Sequence, residues 1–374
     1  MNRWSVSLAF LSCFLSLPLS ADGLDVYFGT YTSPDGSKGI YRASFDPETG
    51  NLGEPALAAE LPSPSFLTID AAGKHVYAVS EVGGPDGGRV TAFRIDESGG
   101  LVKINDQPSG GNGPCHISLS PDGATLLVAN YGGGSVASYR VGKDGSISAP
   151  VSVIRHQGSS VNPKRQKEPH AHSINASPDG RFAHAADLGT DRIHRYAIDP
   201  STGALAPAGE AALAPGSGPR HFTFRPDGRF AYVINELLLN VTAFRVDPGT
   251  GTLTEIQTLS TLPDGTKPVG STAEVVCHPK GRFLYGSNRG HDSIVVYAID
   301  ESTGKLTRVE NESLRGKVPR NFAITPDGGW LLAAGQESGT VEVLRIDPAT
   351  GALEPSGSPI RVDRPVCIRF VRKP

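Results

Sequence analysis

Short runs of alternating apolar and polar residues recur along the chain, and none persists long enough at helical spacing to predict a helix. The run Phe222–Phe224 leads to Pro226-Asp-Gly228. A β-rich segment Phe230-Ala-Tyr-Val-Ile234 follows, then a short polar loop, then a third alternating run Val241-Thr-Ala-Phe-Arg-Val246. The Asp247-Pro-Gly-Thr-Gly251 segment reads as a second turn, with a fourth strand behind it. The same grammar recurs. Anchored on the turn glycines Gly73, Gly123, Gly180, Gly228, Gly281 and Gly328, the units step by 50, 57, 48, 53 and 47 residues. Related DPxTG turns stand at Asp46–Gly50, Asp199–Gly203 and Asp347–Gly351. Four strands per unit of about 50 residues is the signature of a propeller blade.

The two ends complete the count. Asp25–Thr30 and Gly39–Phe45 read as second and third strands with no first strand before them, while Pro365–Val371 reads as a first strand with nothing after it. The C-terminal strand is therefore expected to fill the N-terminal blade and close a ring of seven four-stranded antiparallel blades, an all-β fold without free sheet edges.

Composition fits this picture. Of 374 residues, 45 are Gly and 30 are Pro. That excess is spread through the turns and is too small for a collagen-like or disordered chain. A net charge of −3 gives no electrostatic case for nucleic acid or a lipid surface. Residues 1–21, with Arg3, an apolar run from Val6 to Leu17 and the small pair Ser20-Ala21, read as a secretory signal peptide. The mature unit is then one propeller over 22–374, in the periplasm or outside the cell, unattached to membrane and monomeric. It retains Cys115, Cys277 and Cys367, which lack the number for a disulfide framework and the spacing of a zinc site. No metal or cofactor is expected.

The chemistry is expected where blade geometry concentrates it. Loops entering the first, innermost strand and loops leaving the second open on one face. Six residues before each PDG proline or its equivalent lie Ser65, Cys115, His172, Arg220, Ala273 and Arg320. One further on lie Phe66, His116, Ser173, His221, Glu274 and Asn321. The loops after the second strands supply Glu81, Asn130-Tyr131, Asp187, Asn235-Glu236, Asn288-Arg289 and Gln336-Glu337. So many polar groups at a narrow channel mouth need partners. Arginines there suit a carboxylate or phosphate, and His with Glu suits proton transfer. The long loop from Arg155 to His172 is a candidate lid carrying Arg165.

Eight ordered strings carry a resemblance across essentially the whole mature chain: NYGGGSV from Asn130, RQKEPHAHS from Arg165, DLGTDRI from Asp187, GPRHFTFRPDG from Gly218, NEL from Asn235, STAE from Ser271, SNRGHDSI from Ser287 and PRNFAITPDG from Pro319. The chain resembles the seven-bladed propeller lactonases, which include bacterial 6-phosphogluconolactonase and fungal carboxymuconate cyclase. The resemblance implies His172, Arg220, Glu236 and Arg289 as catalytic residues. Arg165, His116, Asn130, His221, Glu274, Arg320 and Asn321 are the expected substrate-binding and supporting set. The resemblance also implies a cytosolic sugar-phosphate enzyme, with which the leader segment conflicts, so the family chemistry is expected on a different lactone.

Three readings follow. The chain hydrolyses a small anionic lactone, with Glu236 or His172 as general base. Alternatively it forms a lactone with the same residues, as a cyclase does, or it is a secreted propeller that binds a protein or glycan without catalysis. No GxSxG or HExxH motif supports a covalent serine or zinc-protease mechanism. A metal-dependent route, as in the calcium-binding gluconolactonase propellers, would show itself as sensitivity to chelator.

Overall fold

A computed structural model describes residues 23–84 and 87–372. The proposed signal peptide lies outside the described residues. The described chain forms seven four-stranded antiparallel sheets arranged as a ring. The C-terminal strand Pro365–Arg372 pairs with Leu24–Thr30, so both ends of the chain share one blade as the sequence predicts. The first strands of the seven blades, in ring order, are Pro365–Arg372, Leu67–Ile69, Pro114–Leu119, Ala171–Ala176, Pro219–Phe224, Ser271–Cys277 and Pro319–Ile324. Each touches the first strands on either side and together they wall a central channel. Among the described residues no helix is long and apolar enough to cross a membrane.

The core lies between blades rather than at the axis. One cluster packs Phe230, Tyr232 and Val241 of the fifth blade against Leu284, Val295 and Tyr297 of the sixth. Burying such side chains contributes roughly 1.5–3 kcal/mol each. Polar staples add to the seams. Tyr27 donates its hydroxyl to the Gly99 carbonyl at 2.8 Å, Tyr232 to Gly304 at 3.1 Å and Tyr285 to Gly351 at 2.8 Å, and His184 Nε2 meets the Gly251 carbonyl at 2.8 Å. In each case a second strand grips the closing turn of the next blade.

The two hairpin turns of every blade open on one face, here the turn face. Connections into the first strand and out of the second open on the other, the mouth. The first strands carry a repeated irregularity at the mouth. Pro219 pairs with Asn235 and His221 with Ile234, so Arg220 is an extra residue opposite no partner. The same bulge places Cys115, His172 and Arg320. A β-bulge re-aims the side chain it inserts. Here it lets two successive residues, such as Arg220 and His221, both be buried around the channel.

Cys115, Cys277 and Cys367 are all buried and free.

Candidate active site

Glu236 is the hub. It follows the second strand of the fifth blade and is 4% exposed. Its Oε1 accepts from Arg165 Nη2 at 2.7 Å, and its Oε2 accepts from Arg220 Nε at 3.0 Å and lies 3.0 Å from Arg289 Nη2. Burial alone would raise its pKa, but Arg289, Arg220 and Arg165 outweigh that and hold it at about 2. The group is therefore a carboxylate at any working pH. These three arginines come from three places: the lid, the bulge of the fifth blade's first strand, and the end of the sixth blade's second strand.

His172 Nε2 stands 3.9 Å from Glu236 Oε2, too far for a hydrogen bond and about right for one bridging water. The other ring nitrogen faces Cys115 Sγ at 3.6 Å. Burial first, then Arg220, His221 and Arg320, push the imidazole well below its ordinary pKa. It is a neutral imidazole at pH 7.

Not every arginine is equally available. Arg220 is 2% exposed, and its remaining contacts are the Ala273 carbonyl at 2.8 Å and His221 Nε2 at 3.1 Å. It lies behind Glu236 and fixes it. Arg289 anchors Nη2 to the Thr272 carbonyl at 2.8 Å while its buried Nε has no partner. Burial and Arg220 lower its pKa to about 9, which still leaves it protonated. Arg320 donates to the Tyr31 hydroxyl at 2.9 Å and lies over that ring, and Tyr31 in turn donates to Glu81 at 2.8 Å.

The lid is tied down at its base and middle. Asp187 Oδ2 meets His156 Nδ1 at 2.6 Å and its Oδ1 accepts the His170 amide at 2.9 Å, so one carboxylate holds both ends. Asp191 accepts from Ser160 and Gln166 of the lid, and from the amides of Gly216 and Gly218 just before Arg220. Arg165 also reaches the Tyr131 hydroxyl at 3.1 Å, and Tyr131 stacks on His170 with ring centres 4.4 Å apart. His156, Asp187 and His194 could each offer one ligand atom to a metal ion, with those atoms within 4.8 Å of one another.

The other expected residues form a layer beneath the hub. His221 Nδ1 meets Glu274 Oε1 at 2.7 Å, and Asn321 donates to the other oxygen of Glu274. His116 stacks on Phe66 and abuts His221 with ring centres 5.4 Å apart. Asn130 is placed differently. It is fully buried, and its amide donates to the Ser109 carbonyl at 3.0 Å and to Ser135 Oγ at 3.2 Å. Asn288 repeats this arrangement, holding the Thr261 carbonyl and Ser293. These asparagines clamp strand ends.

Tyr31 is the residue that sequence reasoning missed. It occupies the position after a second strand that Glu81, Tyr131 and Glu236 occupy in their blades, and Arg289 stands one residue beyond Asn288 in the same way. Its blade takes its first strand from the far end of the chain, so laying the six complete repeats over one another passes it by. Extending the register to the split seventh blade would have found it.

The chain is similar to known proteins along nearly all of its length. A family model described as "Lactonase, 7-bladed beta-propeller" matches residues 25–370. The chain is 37% identical over 348 residues to a 6-phosphogluconolactonase of Bacillus subtilis, covering 93% of this chain and 98% of the relative. It superposes with a TM-score of 0.87 on a putative 6-phosphogluconolactonase of Bacteroides fragilis, at 39% identity over 94% of this chain and 99% of that one. A periplasmic gluconolactonase of Pseudomonas aeruginosa gives a TM-score of 0.88 at 37% identity, covering 94% and 100%. The chain belongs to the seven-bladed β-propeller lactonase family.

Proposed function

We propose that this protein hydrolyses a small anionic lactone at the channel mouth. The observation that carries the reading is the imbalance of charge there: three arginines, Arg165, Arg220 and Arg289, meet the single carboxylate Glu236, a buried donor of Arg289 is left unpaired, and Arg320 reaches Glu81 only through the Tyr31 hydroxyl. A substrate anion supplies the missing charge and acceptor. The names of the relatives support a lactone as the electrophile.

In this mechanism a water held beside His172 and Glu236 loses a proton to His172 Nε2 as its oxygen attacks the lactone carbonyl. Arg289 stabilises the oxyanion. The ring C–O bond then breaks, and the imidazolium returns the proton to the leaving alkoxide, so the product is a hydroxy acid. Glu236, too weakly basic to take the proton itself, orients the water and fixes the arginines. Arg320, held by Tyr31, meets the substrate's anionic group.

The apolar segment at residues 1–21, read as a leader, and the periplasmic neighbour support action outside the cytoplasm, on a lactone present there. Gluconolactone with and without a 6-phosphate, assayed by acid release with the purified protein, tests the reading. Hydrolysis faster than background, and weakened in Glu236→Gln, is expected. Activity on neither, with ring closure of carboxymuconate instead, would replace it by the cyclase reading.

A further inference from the structure

Arg220 stands at the end of a file of hydrogen bonds that begins in the ring-closing strand. The Ile368 amide donates to Asn321 Oδ1 at 2.8 Å, and Asn321 Nδ2 donates to Glu274 Oε2. His221 Nδ1 lies 2.7 Å from Glu274 Oε1, which also accepts the Val275 amide at 3.0 Å. Arg220 Nη1 lies 3.1 Å from His221 Nε2, and Arg220 Nε donates to Glu236 Oε2 at 3.0 Å. The path crosses the first strands of the first, seventh, sixth and fifth blades in turn, and every side chain between Ile368 and Glu236 is buried.

Both ends of this file have a fixed polarity. A backbone amide can only donate, and so can a guanidinium. Starting from Ile368, Asn321 must turn its oxygen to that amide and therefore its NH2 to Glu274. Starting from Arg220, His221 must present a bare Nε2, so its one proton sits on Nδ1 and is donated to Glu274. Burial, then Arg220 and Arg320, keeps the ring from taking a second proton. Glu274 thus receives donors on both oxygens. A protonated carboxyl would set its hydrogen against one of them. Burial disfavours the charge, and Arg369 and Arg220 offset that.

We infer that Glu274 is a positioning residue: an ionised acceptor beneath the hub that fixes the tautomer of His221 and, through it, the seat of Arg220 against Glu236. Its part in turnover rests on the lactone-hydrolase reading; the order of the protons does not.

The test moves the charge one place along the file without changing the total. Glu274→Gln alone sets amide hydrogens against Asn321, or against His221 and Val275. Asn321→Asp alone sets two carboxylates together. The double variant Glu274→Gln/Asn321→Asp restores every contact, since the new amide donates to the new carboxylate, whose other oxygen still accepts from Ile368. Each single variant is expected to lower Tm and to cut kcat/KM about tenfold or more, and the double variant to recover most of both. A double variant no better than the worse single one overturns the inference, as does a Glu274→Gln protein equal to the wild type. Neutron diffraction from wild-type crystals reads the order of the protons without substrate or substitution. Deuterium on His221 Nδ1 and none on Glu274 is expected; deuterium on His221 Nε2 or on the carboxyl overturns the inference. If the wild type hydrolyses no lactone, the lactonase reading fails, and the Tm cycle and the neutron map still decide the role of Glu274 in holding Arg220.

Discussion

The turn face and the mouth are built from the same repeats and have opposite characters. On the turn face the repeats agree. Asp199, Asp247, Asp300 and Asp347 each accept the amides two and three residues ahead, at 2.7 to 3.0 Å. At the mouth the repeats disagree: the position after the second strand carries Tyr31, Glu81, Tyr131 or Glu236 depending on the blade, and the bulge carries Cys115, His172, Arg220 or Arg320. Agreement marks what every blade needs in order to fold. Disagreement marks where one blade does something its neighbours do not.

Variants on the two faces should sort accordingly. The largest effect is expected from His172→Asn, which removes the proposed base and should lower kcat by about 10²–10⁴-fold with KM little changed. A rise in KM alone would make His172 a binding residue. Arg289→Gln should cost about 10²–10³-fold in kcat/KM through the oxyanion. Arg165→Gln should cost only about tenfold and mainly in KM, since this arginine is 40% exposed and screened by solvent. Single-turnover and steady-state kinetics separate these cases. At the other extreme, Asp247→Ala on the turn face should lower Tm slightly and leave kcat/KM unchanged; a loss of activity there would break the comparison.

Acid sensitivity should trace to the mouth and channel. His116, His172 and His221 are held well below 6.5, burial being the largest cause for each. Below that pH the unfolded chain binds protons the folded chain refuses, so stability falls as pH drops. Glu236, at about 2 against 4.5, adds a further loss between those values, while Glu274, raised by burial, works in the opposite direction. Urea midpoints should therefore decline from pH 7 to 4; a flat profile over that range would show the histidines protonated in the fold. With a base of low pKa, kcat/KM should hold its plateau well below pH 6.5 in the range where the protein stays folded.

Much of this was legible in the sequence. Alternation and turn glycines gave the strands and the blade count, and orphan strands at the two ends gave the closure. The DESTG turn at Asp300–Gly304 belongs with the named DPxTG turns although it lacks the proline. Register also named the residues around the channel, because a residue's face follows from its place along a strand. Register does not say what a side chain meets, and so Asn130 stood among the substrate-binding candidates although it is fully buried with its amide NH2 engaged by Ser109 and Ser135.

What the sequence determined by itself is thus periodic: strand number, turn chemistry and the roster of polar residues near the mouth. What only the tertiary structure decided is convergent. Arg165, Arg220 and Arg289 are up to 124 positions apart in the chain, yet all meet Glu236. The bulge at Arg220 and His221 breaks the alternation that a sequence pattern relies on. Tyr31 reaches Arg320 across 289 positions because the ring closes there. Local patterning fixes which way a strand faces. Only closing the ring fixes which charges come within reach, and those distances set the pKa values and the site's surplus of positive charge.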